Sequence, residues 1–340
     1  MELYFSKKPK VISISNVKFE GFFKCSTPLR SDIVILEKSK IQLRKNKLKR
    51  IDWWFFGENN GKAVYFDDTF LGLRNIIVLK NLYEKTTTIV FNKNVRLLDK
   101  FYPPRSRKSI KNLIDAVISI KQLQKGLIPI HAACLALPDR DEAILLAGYP
   151  NIGKTLATLQ FLEHGYRYLS DDVILVDSDG VAYKNAFPSA VGYEDFLRYA
   201  SPRDIGRFKY YSFYLKGYPM AKSKILNRLI RPPLIDLSTL SRVKTADKAT
   251  VKTVYIIENG ENCVEKLSTN DAHNLISNIN RYCIGEINNP VIDTYNYFNP
   301  SRVFWIKQEK QKILSEFLRN KPCYRVSCND FNWWEILNEH

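Results

Sequence analysis

Gly148-Tyr149-Pro150-Asn151-Ile152-Gly153-Lys154-Thr155 decides the reading of this chain. It has the form G-x-x-x-x-G-K-[ST], the pattern of a phosphate-binding loop. Ala143-Ile144-Leu145-Leu146-Ala147 precedes it, a continuous apolar run of strand length. Leu156, Leu159 and Leu162 follow at helical spacing. Strand, glycine loop and helix in this order are the context the motif needs. Glycines let successive N–H groups turn toward phosphate oxygens, and the helix N-terminus adds partial positive charge. On this reading Gly148 to Thr155 cradle a nucleotide, Lys154 reaches the outer phosphates, and the Thr155 hydroxyl ligates Mg²⁺.

Sixteen residues beyond Thr155 stand Asp171 and Asp172, between the short apolar runs Tyr168-Leu169 and Val173-Ile174-Leu175-Val176. Adjacent carboxylates there are costly unless a cation meets them. A hard, oxygen-preferring ion such as Mg²⁺ suits them. Ahead of the loop, residues 128–137 are apolar except for His131, and Pro138 to Asp141 turn the chain into the loop strand. Residues 128–147 therefore read as a hairpin entering the nucleotide site. On its own, His131 reads as a histidine satisfied within an apolar strand.

The remaining chain of 340 residues is long enough for two domains. Residues 10–100 look β-rich and antiparallel, with strand candidates at 11–20, 33–36, 51–56, 63–66, 75–79 and 86–91. Asn59-Asn60-Gly61 is a hairpin turn. Pro103-Pro104 reads as a linker. Ser109 then caps a helix through Ile110, Leu113, Ile114, Val117, Ile120 and Leu123, ending near Gly126. These signals divide the chain into 1–108, β-rich and basic, and 109–340. Within the latter, residues 188–233 read as a long loop, 251–257 as a strand, 268–279 as a helix, 308–318 as another, 323–326 as a strand, and 330–337 as a short closing element.

The net charge of +17 is uneven. Residues 1–126 carry 26 Lys and Arg against 11 Asp and Glu, whereas 127–340 carry 26 against 24. The densest run holds Lys38, Lys40, Arg44, Lys45, Lys47, Lys49 and Arg50, followed by Trp53 and Trp54. Charge beside aromatics could serve single-stranded nucleic acid or an acidic partner. A solvated hairpin beside a core strand is the simpler and favoured reading. The six cysteines form no C-x-x-C pair, which argues against a disulfide framework or a cysteine zinc site. The N-terminal stretch does not read as a signal peptide and no run approaches a membrane span. A cytoplasmic protein is expected.

Ile130-His131-Ala132-Ala133, Leu146-Ala147-Gly148 through Thr155, and His164-Gly165-Tyr166-Arg167-Tyr168-Leu169-Ser170-Asp171-Asp172 together resemble the catalytic domain of HPr kinase/phosphorylase and its relatives. The resemblance covers about residues 128–190. It implies an α/β (α+β overall) chain with a phosphoenolpyruvate-carboxykinase-like P-loop kinase core beside the N-terminal β-rich domain. It further implies ATP and Mg²⁺ as cofactors, phosphoryl transfer to a hydroxyl of a protein, peptide or small molecule, and a homo-oligomer. It makes Lys154, Asp171, Asp172 and His131 the catalytic group, with Asp171 as base, and Thr155 and Asp172 as metal ligands. Asn151-Ile152 depart from the small residue usual in the bacterial enzymes, and their later glycine-rich signature is not visible, so the acceptor stays open. The rival expectation is an ATPase or nucleotide switch whose basic N-terminal domain binds RNA or an acidic partner.

Overall fold

The computed structural model describes residues 4–5, 11–13, 23–24, 31–58, 60–70, 72–99, 109–184, 202–208, 210–212, 214–215, 237–240, 242–284 and 289–338. In chain order these form β1 (Tyr4–Phe5), β2 (Val11–Ser13), β3 (Phe23–Lys24), β4 (Ile33–Lys38), β5 (Lys49–Arg50), β6 (Phe55–Gly57), β7 (Ala63–Phe70), β8 (Leu73–Lys80), β9 (Thr87–Asn92), α1 (Lys93–Asp99) and α2 (Ile110–Leu123). There follow β10 (Ile128–Ile130), β11 (Ala132–Ala136), β12 (Glu142–Ala147), α3 (Lys154–Glu163), β13 (Arg167–Ser170), β14 (Ile174–Val176), β15 (Val181–Tyr183) and α4 (Pro202–Ile205). The chain continues with β16 (Lys248–Asn259), β17 (Cys263–Leu267), α5 (Thr269–Cys283), α6 (Pro290–Tyr297), α7 (Pro300–Leu318), β18 (Cys323–Cys328) and α8 (Trp333–Asn338). The result is a mixed α+β protein with two mixed sheets. No described helix is long and apolar enough to cross a membrane.

Two compact units emerge, residues 1–126 with 286–311, and residues 127–285 with 312–340. This differs from the division at 108/109 expected from the linker-like prolines, which lie outside the described residues. The reason is the destination of buried faces. Ser109 accepts hydrogen bonds from Lys111 N and Asn112 N, as an N-cap should, and the apolar stripe of α2 is buried. Its last turn is tied to the β8–β9 connection, where Lys121 Nζ donates to Glu84 O and Gln124 Nε2 donates to Tyr83 O. Helix α6 belongs to the same unit. The Tyr295 hydroxyl accepts from Leu82 N and donates to Lys62 O, and Asn299 Nδ2 donates to Gly61 O.

The sheet of the first unit has the order β2-β4-β9-β8-β7-β6-β5. The expectation of an antiparallel domain holds from β9 to β5 and fails at the other edge, where β2, β4 and β9 run parallel. Successive hairpins leave one edge of β9 open. β4 docks there, burying Ile33 and Ile35 beside Ile89 and Phe91, with Thr87 N donating to Asp32 O at 2.8 Å. The strand expected at 51–56 is shorter. Asp52 Oδ1 accepts from Trp53 N, and Phe55 N closes back on Asp52 O, so residues 52–54 bend and β6 begins at Phe55. Trp53 is consequently 73% exposed rather than in a core strand. The 11–20 strand is described only at Val11–Ser13.

In the second unit the strand order is β10-β14-β15-β16-β12-β11-β13. The twelve residues of β16 pair along one edge first with β15 and then with β18, and β17 joins β18. β12 lies inside the sheet, antiparallel to β11 and parallel to β16. β11 is also antiparallel to β13, so β12 and β13 point the same way on either side of it. The ends of β12 and β13 and the start of β11 therefore share one edge of the sheet, with Ala132 opposite Ala147 and Cys134 opposite Ser170. Below that edge lies a core of Leu135, Leu146, Phe161, Ile257, Val326 and Trp333, with neighbours. The helix expected from 268 is α5, capped by Ser268, whose side chain accepts from Asp271 N. The helix expected at 308–318 begins earlier, at Pro300. α6 was not anticipated, although Asn289 ahead of Pro290 is a start signal. Most of the 188–233 loop lies outside the described residues.

Candidate functional site

The sheet edge brings four segments together: Gly148–Gly153 after β12, Asp171-Asp172 after β13, His131 between β10 and β11, and the C-terminal end of α5. Each is placed by local chemistry. Gly148 packs so closely that a Cβ there would collide with Ile152 Cδ1 and sit 2.7 Å from Ile257 O. Gly153 has φ of +95°, and a Cβ would lie 2.7 Å from Trp333 Nε1. Only glycine fits both positions. Asn151 also takes a left-handed conformation, as Asn tolerates. Tyr149, Pro150 and Asn151 are exposed, Ile152 is half-buried, and α3 starts at Lys154.

The first turn of α3 leaves backbone N–H groups without intrahelical acceptors, and they face the loop end of the helix. Lys154 is buried, and its ammonium donates to Gly148 O at 2.9 Å and Tyr149 O at 2.8 Å. The lysine thus folds over its own loop. Burial lowers its pKa, against the opposing pull of Asp172, Asp171 and Cys283.

Asp171 is 3% exposed. It accepts from Thr155 Oγ1 at 2.9 Å and from Thr158 Oγ1 at 3.1 Å. Burial pushes its carboxyl up to about 6. The two hydroxyls oppose that rise, Asp172 adds to it, and Lys154 opposes it. Asp172 is the contrasting partner. Its side chain is 57% exposed, and Oδ1 lies 3.2 Å from His131 Nδ1. The bend that separates the two carboxylates is pinned by Ser170 Oγ, which donates to Val173 O at 2.7 Å.

His131 occupies the break where the apolar run leaves one strand partner for another, β10 pairing with β14 and β11 with β12. Its backbone N–H donates to Asn280 Oδ1 at 2.8 Å, and Asn280 Nδ2 donates to Pro129 O at 3.2 Å. One asparagine from α5 thereby fixes the kink that aims the imidazole at Asp172.

All the expected residues lie at this one edge. The structure adds Thr158, Asn280, Tyr282 and Cys283. Thr158 was legible, one helical turn from Thr155. The α5 residues carry no motif. The ring of Tyr282 packs edge-on against Tyr149, centroids 5.4 Å apart, and both rings are exposed.

The donor set suits a hard cation. It offers the Thr155 hydroxyl and the Asp171 carboxyl already 2.9 Å apart, and burial, which raises the pKa of that carboxyl, would be offset by a bound cation. No cluster of three or more His, Cys, Asp or Glu side chains exists among the described residues. A cation here would draw its other ligands from nucleotide and water, the usual manner of Mg²⁺. The chain matches no protein-family model and no curated protein.

Proposed function

We propose that the chain is an ATP- and Mg²⁺-dependent kinase that transfers the γ-phosphoryl group to a hydroxyl. The observation that carries this is the pairing of Thr155 with buried Asp171 beside an exposed Asp172 held by His131, all at the mouth of a strand–loop–helix phosphate motif. β12 between antiparallel β11 and parallel β16 supports the phosphoenolpyruvate-carboxykinase-like core that the resemblance implies.

The two carboxylates take roles opposite to those expected from sequence. Asp171 joins Thr155 on the metal side, because the hydroxyl already binds it. Asp172, exposed and next to an imidazole, is the group that orients the acceptor hydroxyl and takes its proton. As the acceptor oxygen bonds to the γ-phosphorus, the bridge to the β-phosphate breaks and ADP leaves. Lys154 offsets charge on the outer phosphates, and the first turn of α3 supplies further donors. Mg²⁺, when bound, neutralises the phosphate oxygens. His131 holds Asp172 in place, and Asn280 holds His131. The unpaired thiols of Cys134, Cys263, Cys323 and Cys328 suit a reducing cytoplasm.

The test is transfer from [γ-³²P]ATP to candidate hydroxyl acceptors. Lys154→Ala should abolish labelling with the fold intact. Asp172→Asn should lower the transfer rate by about 10²–10⁴-fold while nucleotide binding persists, whereas Asp171→Asn should weaken binding of the Mg²⁺ nucleotide. Normal transfer by Lys154→Ala would remove the site assignment. A second reading, an ATP-driven binding module, draws on the Arg50 guanidinium 4.6 Å from the exposed Trp53 ring. Phosphate release without a labelled acceptor would favour it.

A further inference from the structure

A second charged cleft lies wholly within the first unit. Its volume is about 370 Å³, within the range of small-molecule sites. Three elements build it. The last turn of α2 contributes Lys121, and the turn that follows the helix contributes Lys125. The β8–β9 connection contributes Tyr83, Glu84 and Lys85, and the start of α7 contributes Arg302 and Trp305.

Lys121 is 1% exposed. Its ammonium donates to Glu84 O and, at 3.0 Å, to Gln124 Oε1. That satisfies two of three protons, both with neutral acceptors, and no described carboxylate forms an ion pair with it. A buried ammonium without a paired carboxylate is costly, and burial pushes its pKa down to about 8. Asp32 and Glu84 oppose that fall and Lys125 adds to it, but neither carboxylate forms an ion pair with the ammonium. Lys125 pairs with Asp32, which takes that carboxylate. The lining holds four cations, Lys85, Lys121, Lys125 and Arg302, against two carboxylates, Asp32 and Glu84. The Arg302 guanidinium lies 5.7 Å from the Tyr83 ring centroid. The Tyr83 hydroxyl donates to Asn296 Oδ1, which fixes that ring as a wall. Trp305 supplies a second aromatic surface in the lining.

An excess of cations, one of them buried and without an ion-pair partner, beside flat apolar walls is the chemistry of an oxyanion on a small carbon frame. We propose that this cleft binds a small phosphate ester, with Lys121 and Arg302 holding the phosphate and Tyr83 and Trp305 flanking the rest of the molecule.

The experiment uses full-length protein carrying Lys154→Ala, which removes the main cation of the phosphate loop. Ribose 5-phosphate is titrated calorimetrically at low salt, with ribose as the uncharged control. Saturable one-to-one binding of the ester and none of ribose is expected. Adding Arg302→Ala or Lys85→Ala, both exposed side chains, should weaken binding at least tenfold, and Lys121→Met should abolish it. The exposed pair keeps the test decisive if the Lys121 variant fails to fold. Absence of saturable ester binding, or binding unchanged by Arg302→Ala and Lys85→Ala, would overturn the proposal.

Discussion

Asp171 shows how one buried carboxyl couples the site to stability. Its folded pKa of about 6 lies above the ordinary 3.8, because burial disfavours the charge. The folded state therefore holds the proton more tightly than the unfolded chain. No penalty exists below about pH 4. It grows as pH rises toward 6 and levels off above that, at roughly 3 kcal/mol for a two-unit shift. In metal-free protein Asp171→Asn should raise the urea midpoint at pH 7.5 and leave it unchanged near pH 3.5. Equal midpoints for the two proteins at pH 7.5 would show that the carboxylate is better solvated than its burial implies. Such a gain in a variant that loses function is the expected trade between stability and a strained site.

At the scale of elements, the phosphate loop is held from behind by the end of the chain. Trp333 is fully buried against Gly153. Trp334 stacks on His164 with centroids 3.7 Å apart, and it meets Phe161 edge-on at 5.1 Å. Gln160 clasps α8 to α3, its Nε2 donating to Phe331 O and its Oε1 accepting from Trp334 N. Trp333→Ala should cost about 3–5 kcal/mol in chemical denaturation and weaken ATP binding, because the cavity opens directly under Gly153. A loss of stability with ATP affinity unchanged would mean that the loop keeps its shape without this support. By contrast, Arg167 is structural despite its place in the resembled block. It donates to Leu137 O and Arg140 O, closing the β11–β12 turn.

At the scale of the molecule, the two units are discontinuous in sequence. Residues 286–311 return to the unit that holds the first 126. A fragment of residues 109–340 would strip α2, which buries Leu113, Ile114 and Val117, of α1 and of its ties to Tyr83 O and Glu84 O, and would leave the Tyr295 hydroxyl without Leu82 N and Lys62 O. It should be poorly soluble, bind a hydrophobic dye and melt without a sharp transition. A cooperative melt would show that α2 and α6 are dispensable to the phosphate-loop unit. The uneven charge also sorts by unit, since the basic run from Lys38 to Arg50 lies on exposed positions of the first.

Sequence alone determined what local chemistry encodes: the strand–loop–helix around Gly148–Thr155, the carboxylate pair between two short apolar runs, the cap at Ser109, a helix starting at Ser268 or Thr269, and the buried stripe of α2. Each rests on periodicity, turn residues or a short motif, which are properties of neighbouring residues. Tertiary structure decided the rest. It set which carboxylate meets Thr155 and which meets His131, because adjacent residues at a bend face different partners. It recruited Asn280 and Tyr282, which carry no local signal, and it gave α2 to the N-terminal unit. It also left Lys121 buried without an ion-pair partner, a fact that exists only once three distant segments close around it.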